Sequence, residues 1–529
     1  MPAANTPDDI SFERPLRLAS IALSGGFILL FLYVALHRLH YPFELDRMES
    51  SMMTSIWRLA HDLPLYGKPS MEWVSFLYAP FYFYCSAFAA RFMGLSYAAP
   101  RLVSILATFG SFAVIYRLVH RETGRADAAF LSAGLFASFY GNVYGWYDIA
   151  RVDMLSIFFL LLAIYCTRHY HPLVAAVVWL FAFQTKQTML PIAILAFLTG
   201  WQQPRRMLTG LIATSVLVLG SVYALNHVSH GWYSYYAFGT VSHIRFLPRM
   251  AVLYIPVDLL EPCGIAIALI LIAALVQRPR KASPAIWFYG VLTFVITAAT
   301  GYVRAHEGAN VNALIPVYAW ISILFGLAIH RLLRWADQTL PADKARHAPA
   351  LLWLLVFIQL FSHVYQPGRF IPSSDALAYR KDLLHALATT PGDVWVVNHS
   401  FDGILAGKPI HPEMDALDVV LGRASSTKAE PAPMQNPKDT AAQDLLDDYR
   451  NERFTAIILD RPAESYAPEW AFNGAEFTAH YPLRAIAIGS DQPNVIDQPM
   501  LVYFPCSALH TPEIVRSLST GFIDSSGCP

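Results

Sequence analysis

Apolar stretches of about twenty residues recur along the chain, separated by short polar stretches that hold much of the Arg and Lys. They fall at 16–37, 74–94, 98–118, 127–146, 151–167, 172–184, 188–201, 207–226, 250–276, 284–300, 311–330 and 349–365. Most are long enough to predict helices that cross a lipid bilayer. After Tyr365 the pattern changes. Short β-rich runs appear at 394–397, 456–459 and 500–504, and helical patterns lie near 375–389 and 440–451. The tail, 366–529, therefore predicts a small α/β domain, and its stretch 423–439 reads as a loop by composition. No internal repeat is evident.

Basic residues orient the helices, because Lys and Arg stay on the cytoplasmic side. They cluster at Arg14/Arg17, Arg117/Arg121/Arg125, Arg168, Arg205/Arg206, Arg278/Arg280/Lys281 and Arg331/Arg334/Lys344/Arg346. Three apolar runs separate the first two clusters, yet both ends must face the cytoplasm, so one run does not span. The run 74–94 opens with Tyr78-Ala79-Pro80, is thick with aromatics and contains Arg91. It predicts a helix at the interface, forming one extracytoplasmic structure with a long first loop, 38–97. The same parity requires 172–201 to be two short helices broken at 184–188. The expectation is a polytopic α-helical membrane protein with about eleven crossings. The first run, read as a retained signal anchor, starts from the cytoplasm, and the 366–529 tail lies outside, beyond a membrane domain of 1–365.

Composition agrees: of 529 residues 55% are hydrophobic and 14% charged, against roughly 25% charged in a soluble chain. Mean hydropathy is +0.39. Lys+Arg and Asp+Glu both number 38, which suggests no nucleic-acid partner. Of the five cysteines, Cys85, Cys166 and Cys263 lie in apolar runs. Cys506 and Cys528 lie in the tail, where a disulfide between them fits an oxidising compartment.

The predicted topology gathers polar groups at the extracytoplasmic face. The first loop brings Glu44, Asp46 and Glu49, with Glu44 and Asp62 read as solvated charges. "WYDIARVDML" brings Asp148, Arg151 and Asp153; the break at 184–188 brings Lys186. The 227–249 loop brings His243, Arg245 and Arg249, and "GYVRAHEGANVNALIP" brings Arg304, His306, Glu307, Asn310 and Asn312. Ionisable groups at a bilayer boundary usually mark function. A sugar held on a lipid phosphate fits them: Lys186 and Arg151 neutralise the phosphate, and a carboxylate takes the proton of an attacking hydroxyl. A second carboxylate could orient the acceptor or hold a divalent cation such as Mg or Mn, with Asp148 and Asp153 as candidate ligands. Tyr78, His306, Glu307, Asn310 and Asn312 stand as candidates for binding substrate.

The segments "RLAHDLPLYGKP", "EWVSFLYAPFYFY", "PRLVS", "WYDIARVDML", "FQTKQTMLP", "EGANVNALIP" and "ILAGKP", in this order, carry a resemblance. The chain resembles bacterial membrane glycosyltransferases of the GT-C fold, the family-39-like group that includes protein O-mannosyltransferases and aminoarabinose transferases. The resemblance implies an inverting transferase of the bacterial inner membrane, using a polyprenyl-phosphate sugar on the outer face. A glycan, lipid or protein would be the acceptor. It also implies Asp46 or Glu49 as base, Asp148 and Asp153 as a second acidic pair, and Lys186 as phosphate partner. Related sequences often carry Gly soon after the first acid, whereas this chain reads Asp46-Arg47-Met48-Glu49-Ser50, which leaves both acids open. No tail residue reads as catalytic, so the tail is expected to be a lid or an acceptor-binding module. The competing readings are a lipid-linked sugar flippase or transporter, and an assembly protein with a degenerate transferase core.

Overall fold

The computed structural model describes residues 12–240, 244–276, 284–421, 444–445, 447–463, 475–488 and 501–524. His243, Cys528 and the stretch 423–439 lie outside the described residues. The helices follow the apolar runs: α1 (Glu13–Leu39), α2 (Met48–Ala60), α3 (Phe81–Met93), α4 (Ala98–Thr123), α5 (Ala126–Ser138), α6 (Val152–His169), α7 (Pro172–Thr185), α8 (Leu190–Leu198), α9 (Pro204–Val228) and the single turn α10 (Trp232–Ser234). Next, α11 (Pro248–Leu253) runs through a π-helical stretch (Tyr254–Leu260) into α12 (Glu261–Val276). Then come α13 (Pro284–Arg304), α14 (Ile315–Thr339) and α15 (Ala342–Phe361). Among the described residues, seven helical stretches are long and apolar enough to cross a membrane, and four more apolar helices are shorter.

Two departures from the apolar runs shape the functional end. The run 127–146 is helical only to Ser138, and residues 139–151 form a compact turn instead. Tyr144 (φ 48) and Gly145 (φ 77) adopt left-handed backbone within this turn, well past the end of α5. A Cβ on Gly145 would meet the Arg38 guanidinium at 2.6 Å, so only Gly fits. Within 172–201 the helix breaks where Lys186 is extended (φ −151, ψ 109), followed by a short 3-10 turn.

Small residues let the helices approach closely, as in lipid, where packing substitutes for the hydrophobic effect. A Cβ on Gly134 of α5 would meet Ser24 of α1 at 2.2 Å, and one on Gly326 of α14 would meet Ser132 of α5 at 2.0 Å. Helix α3 is short, about 20 Å at 1.5 Å per residue. It exposes Tyr84, Phe88 and Phe92, one side at i, i+4 and i+8, and buries Tyr82, Phe83, Ser86 and Ala90.

The tail begins with α16 (Ser374–Thr389), whose Ser373 side chain caps its first turn. It continues through β1 (Val394–Val396), α17 (Ser400–Leu405), α18 (Met414–Leu421), β2 (Ala456–Leu459), β3 (Leu483–Ala487), β4 (Leu501–Phe504) and β5 (Ser519–Asp524). The strands form one sheet, ordered β1-β2-β4-β3-β5, with β1 and β2 parallel and the other pairs antiparallel. Strand alternation splits the two cores. Val394, Val396 and Ile458 pack with Leu383 and Leu387 of α16. Trp395, Ile457 and Leu459 face the other way, into a cluster continuous with the helix bundle. Cys506 is disulfide-bonded, while Cys85, Cys166 and Cys263 are free thiols.

Candidate active site

The first loop is fastened to the bundle by buried charge. Helix α2 begins at Met48, and Asp46 accepts the Met48 amide at 3.0 Å, as an acid at a helix start does. In the first turn of the same helix, Glu49 is fully buried against Arg101 of α4. Arg101 Nε and Nη2 reach its two oxygens at 2.9 and 2.6 Å, and the amides of Leu45 and Ala150 also donate to it. Arg101 gives its remaining hydrogen bonds to the carbonyls of Arg38, Tyr41 and Phe43. Both groups are saturated. Glu49, one of the two candidate bases, thus has both oxygens occupied by protein donors.

Asp148 is not saturated in this way, because among the described residues its buried Oδ2 has no hydrogen-bond partner. It lies in the 139–151 turn, buried, and accepts from Arg38 at 2.8 Å and from Tyr140 at 3.1 Å. Arg38 also contacts Tyr140 and the Gly145 carbonyl, so it ties α1 to the turn. Burial pushes the Asp148 carboxyl above its ordinary range, with Arg38 opposing. Its partners are not those of Asp153, so the two acids do not form one pair. Among the described residues no group of three or more His, Cys, Asp or Glu could hold a metal ion.

Asp153 is the centre of a second cluster. It opens α6 and accepts from Lys186 Nζ at 2.8 Å, Asn312 Nδ2 at 3.0 Å and Arg151 Nε at 3.4 Å. Arg151 stacks on Trp146 and Tyr78, and its Nη2 donates to the Tyr78 hydroxyl at 3.2 Å. Among the described residues its buried Nη1 has no hydrogen-bond partner. Burial alone would lower the Arg151 guanidinium, but Tyr78, Asp153 and Asp46 together raise it. Asp46, half-buried, thus stands within electrostatic reach of this cluster. Lys186 lies over the Tyr78 ring, and the next residue, Gln187, donates to the carbonyls of Leu77 and Ala237 at 2.8 Å, fixing the break against the first loop.

A cavity leads away from the Asp153–Lys186–Asn312 cluster, between α6, α8, α13 and α14. Ile157, Ile192, Ala299, Val303 and Ala313 line it, so its wall is mostly apolar beyond the charged end.

The structure therefore brings Asp46, Tyr78, Arg151, Asp153, Lys186 and Asn312 together. It does not bring His306, Glu307 or Asn310 into this set. His306 contacts Tyr302 and Phe246, the Glu307 amide donates to the Arg245 carbonyl, and Asn310 caps its own turn by accepting the Val311 amide. Arg304 pairs instead with Asp258 at 3.1 Å. The supports Arg38 and Arg101 escaped the sequence reading; the only signal is an Arg at each end of an apolar run, where a charge needs a partner.

No protein-family model and no curated protein matches the chain. Its fold matches solved structures. ArnT from Cupriavidus metallidurans, a GT-C aminoarabinose transferase, was solved bound to undecaprenyl phosphate. It aligns over 90% of this chain and 97% of its own at a TM-score of 0.57, with 13% identity. The same protein in the apo state aligns over 90% and 98% at 0.55, also with 13% identity. This chain has the GT-C fold.

Proposed function

We propose that the chain is a membrane glycosyltransferase that moves a sugar from a polyprenyl-phosphate donor to an acceptor on the extracytoplasmic face, with inversion at the anomeric carbon. The observation that carries this reading is the cavity that joins a cationic end, at Lys186, to an apolar wall among the helices. A lipid phosphate has that polarity, a charged head on an apolar chain. That the fold's ArnT representative was solved with undecaprenyl phosphate supports the same ligand class.

In this reading Lys186 and Arg151 receive the donor phosphate and stabilise the charge that grows on it as the sugar–phosphate bond breaks. Arg151 Nη1 is a donor left free for that task among the described residues. Asp153 holds both cations in place, with Asn312 supporting it. Asp46 takes the proton of the acceptor hydroxyl while that oxygen attacks the anomeric carbon from the face opposite the phosphate, and polyprenyl phosphate leaves.

The test uses the purified full chain in lipid nanodiscs, with undecaprenyl phosphate for binding and a panel of polyprenyl-phosphate hexoses and pentoses for transfer. One member of the panel is expected to yield product. Asp46→Asn should cost about 10²–10⁴ in rate with donor binding intact. Lys186→Met should weaken both undecaprenyl phosphate binding and turnover. No binding of undecaprenyl phosphate and no transfer from any donor would sink the reading.

A further inference from the structure

Glu44 lies two residues before Asp46, and the tail buries it. Arg380 of α16 donates to it at 2.9 Å, and its side chain is 4% exposed. Arg380 also donates to Asp402 of α17 at 2.6 Å. His399 contacts Glu44 on one ring nitrogen and Asp460, just after β2, on the other at 2.8 Å. The expectation of a solvated charge at Glu44 is overturned. Around this centre the same two surfaces meet repeatedly. The Phe401 amide donates to Ser50 of α2 at 2.9 Å, His411 reaches the Met71 carbonyl at 3.2 Å, Arg47 pairs with Asp415 at 3.6 Å, and Phe401 packs edge-on against Tyr97.

The charges in the clasp are deliberate in their cost. Four acids, Glu44, Asp402, Asp460 and Glu413, surround two cations, Arg380 and His399, and all but the half-buried Asp460 are buried. Such a cluster is an expensive way to glue two surfaces, since well-packed apolar side chains usually do as well or better. It does fix geometry, because each carboxylate has directional partners. The segment 44–49 is consequently pinned at both ends, Glu44 by the tail and Glu49 by Arg101 of the bundle, with Asp46 between them.

We infer that the tail positions the catalytic base: Arg380 and His399 hold Glu44, and through it set where Asp46 stands relative to Arg151. Glu44, Arg380 and His399 are positioning residues, none of them touching substrate. This inference rests on the reading of Asp46 as base, and it gives the tail a role in catalysis without requiring it to bind the acceptor.

The test compares Arg380→Met, Arg380→Lys and His399→Gln in the full chain in nanodiscs. Amide exchange in 44–50 should accelerate about tenfold in Arg380→Met and His399→Gln. Amides of 456–459 in the tail and 105–118 in the bundle should keep wild-type rates, which separates a loosened loop from an unfolded tail. With the active donor, kcat should fall about 10²-fold, as for a base moved by about an ångström. Donor KM and undecaprenyl phosphate binding should hold, and Arg380→Lys should recover part of kcat. Unchanged exchange in 44–50 in both variants overturns the inference. So does a loosened segment with wild-type kcat, which would make the clasp purely structural. If wild-type protein transfers from no donor, the functional reading fails by itself, and exchange in 44–50 still decides whether the tail holds the loop.

Discussion

At the scale of single residues the site is a contrast between saturated and unsaturated charges. Glu49 and Arg101 spend every hydrogen bond on each other and on backbone, so they hold the fold. Arg151 keeps a donor unspent among the described residues. Removing one partner of a saturated buried pair strands the other. Glu49→Gln should therefore destabilise the protein by about 3–5 kcal/mol, read as a lower midpoint of thermal unfolding and reduced yield of folded protein. Asp46→Asn should leave that midpoint within about 0.5 kcal/mol of wild type, because Asp46 is half-buried and an Asn side-chain oxygen still accepts the Met48 amide. Equal destabilisation by both would remove the distinction drawn here. Sequence alone could not make it. Both acids sit at one helix start, and the partner that settles Glu49 is 52 residues away, inside an apolar run.

Between elements, the tail meets the first loop through α17, a helix of six residues. A helix so short has no stability of its own, so its contacts with α2 and the cluster around Asp402 must hold it. Burial, with Glu44 adding to it and Arg380 and His399 opposing, holds the Asp402 carboxyl up at about 6, against 3.8 ordinarily. Across that interval the unfolded chain is ionised while the folded protein retains its proton, so the folded state loses stability as pH rises from about 4, and the loss is complete above about 6. His399 acts in the same direction at higher pH. Burial would lower it, but Asp460 and Glu44 hold it well above its ordinary 6.5, so its stabilisation is full below about 6.5 and is lost as pH climbs through the raised value. Asp402→Asn cannot ionise. Its unfolding midpoint should rise relative to wild type between pH 4 and pH 7; a flat difference would mean that Asp402 is ionised throughout. The strands at 394–397, 456–459 and 500–504 were legible because β-branched and aromatic residues dominate them. β3, "LRAIA", and β5, "STGFID", were not, since Ala, Ser and Gly carry little strand signal and only the neighbouring strands make them pair.

For the whole molecule, the apolar runs located the helices because each must satisfy its backbone internally in lipid. They misjudged where 127–146 leaves the helix, since Phe139, Tyr140, Val143, Trp146 and Tyr147 are as apolar as a span, though they build the turn that carries Asp148 and Arg151. The contacts assign the ends of the bundle. Asp46, Arg151, Asp153 and Lys186 gather at the end that carries the tail. The opposite end holds Arg17 with Asp127, Arg168 with Glu122, and Arg206 against the Thr167 carbonyl. Arg and Lys favour the cytoplasmic side, so the orientation expected from the sequence has the site and the tail across the membrane from it. With α3 lying outside the count, the seven long and four shorter apolar helices among the described residues predict an odd number of crossings, and with it an extracytoplasmic tail for a cytoplasmic start. A phosphatase reporter, active only after export, fused behind Tyr365 should be active, and one fused behind Gly124 inactive. Inactivity behind Tyr365 would require an even number of crossings. Since Glu44 and Arg380 touch, the same result would place the loop acids in the cytoplasm with the tail, and the donor's sugar with them.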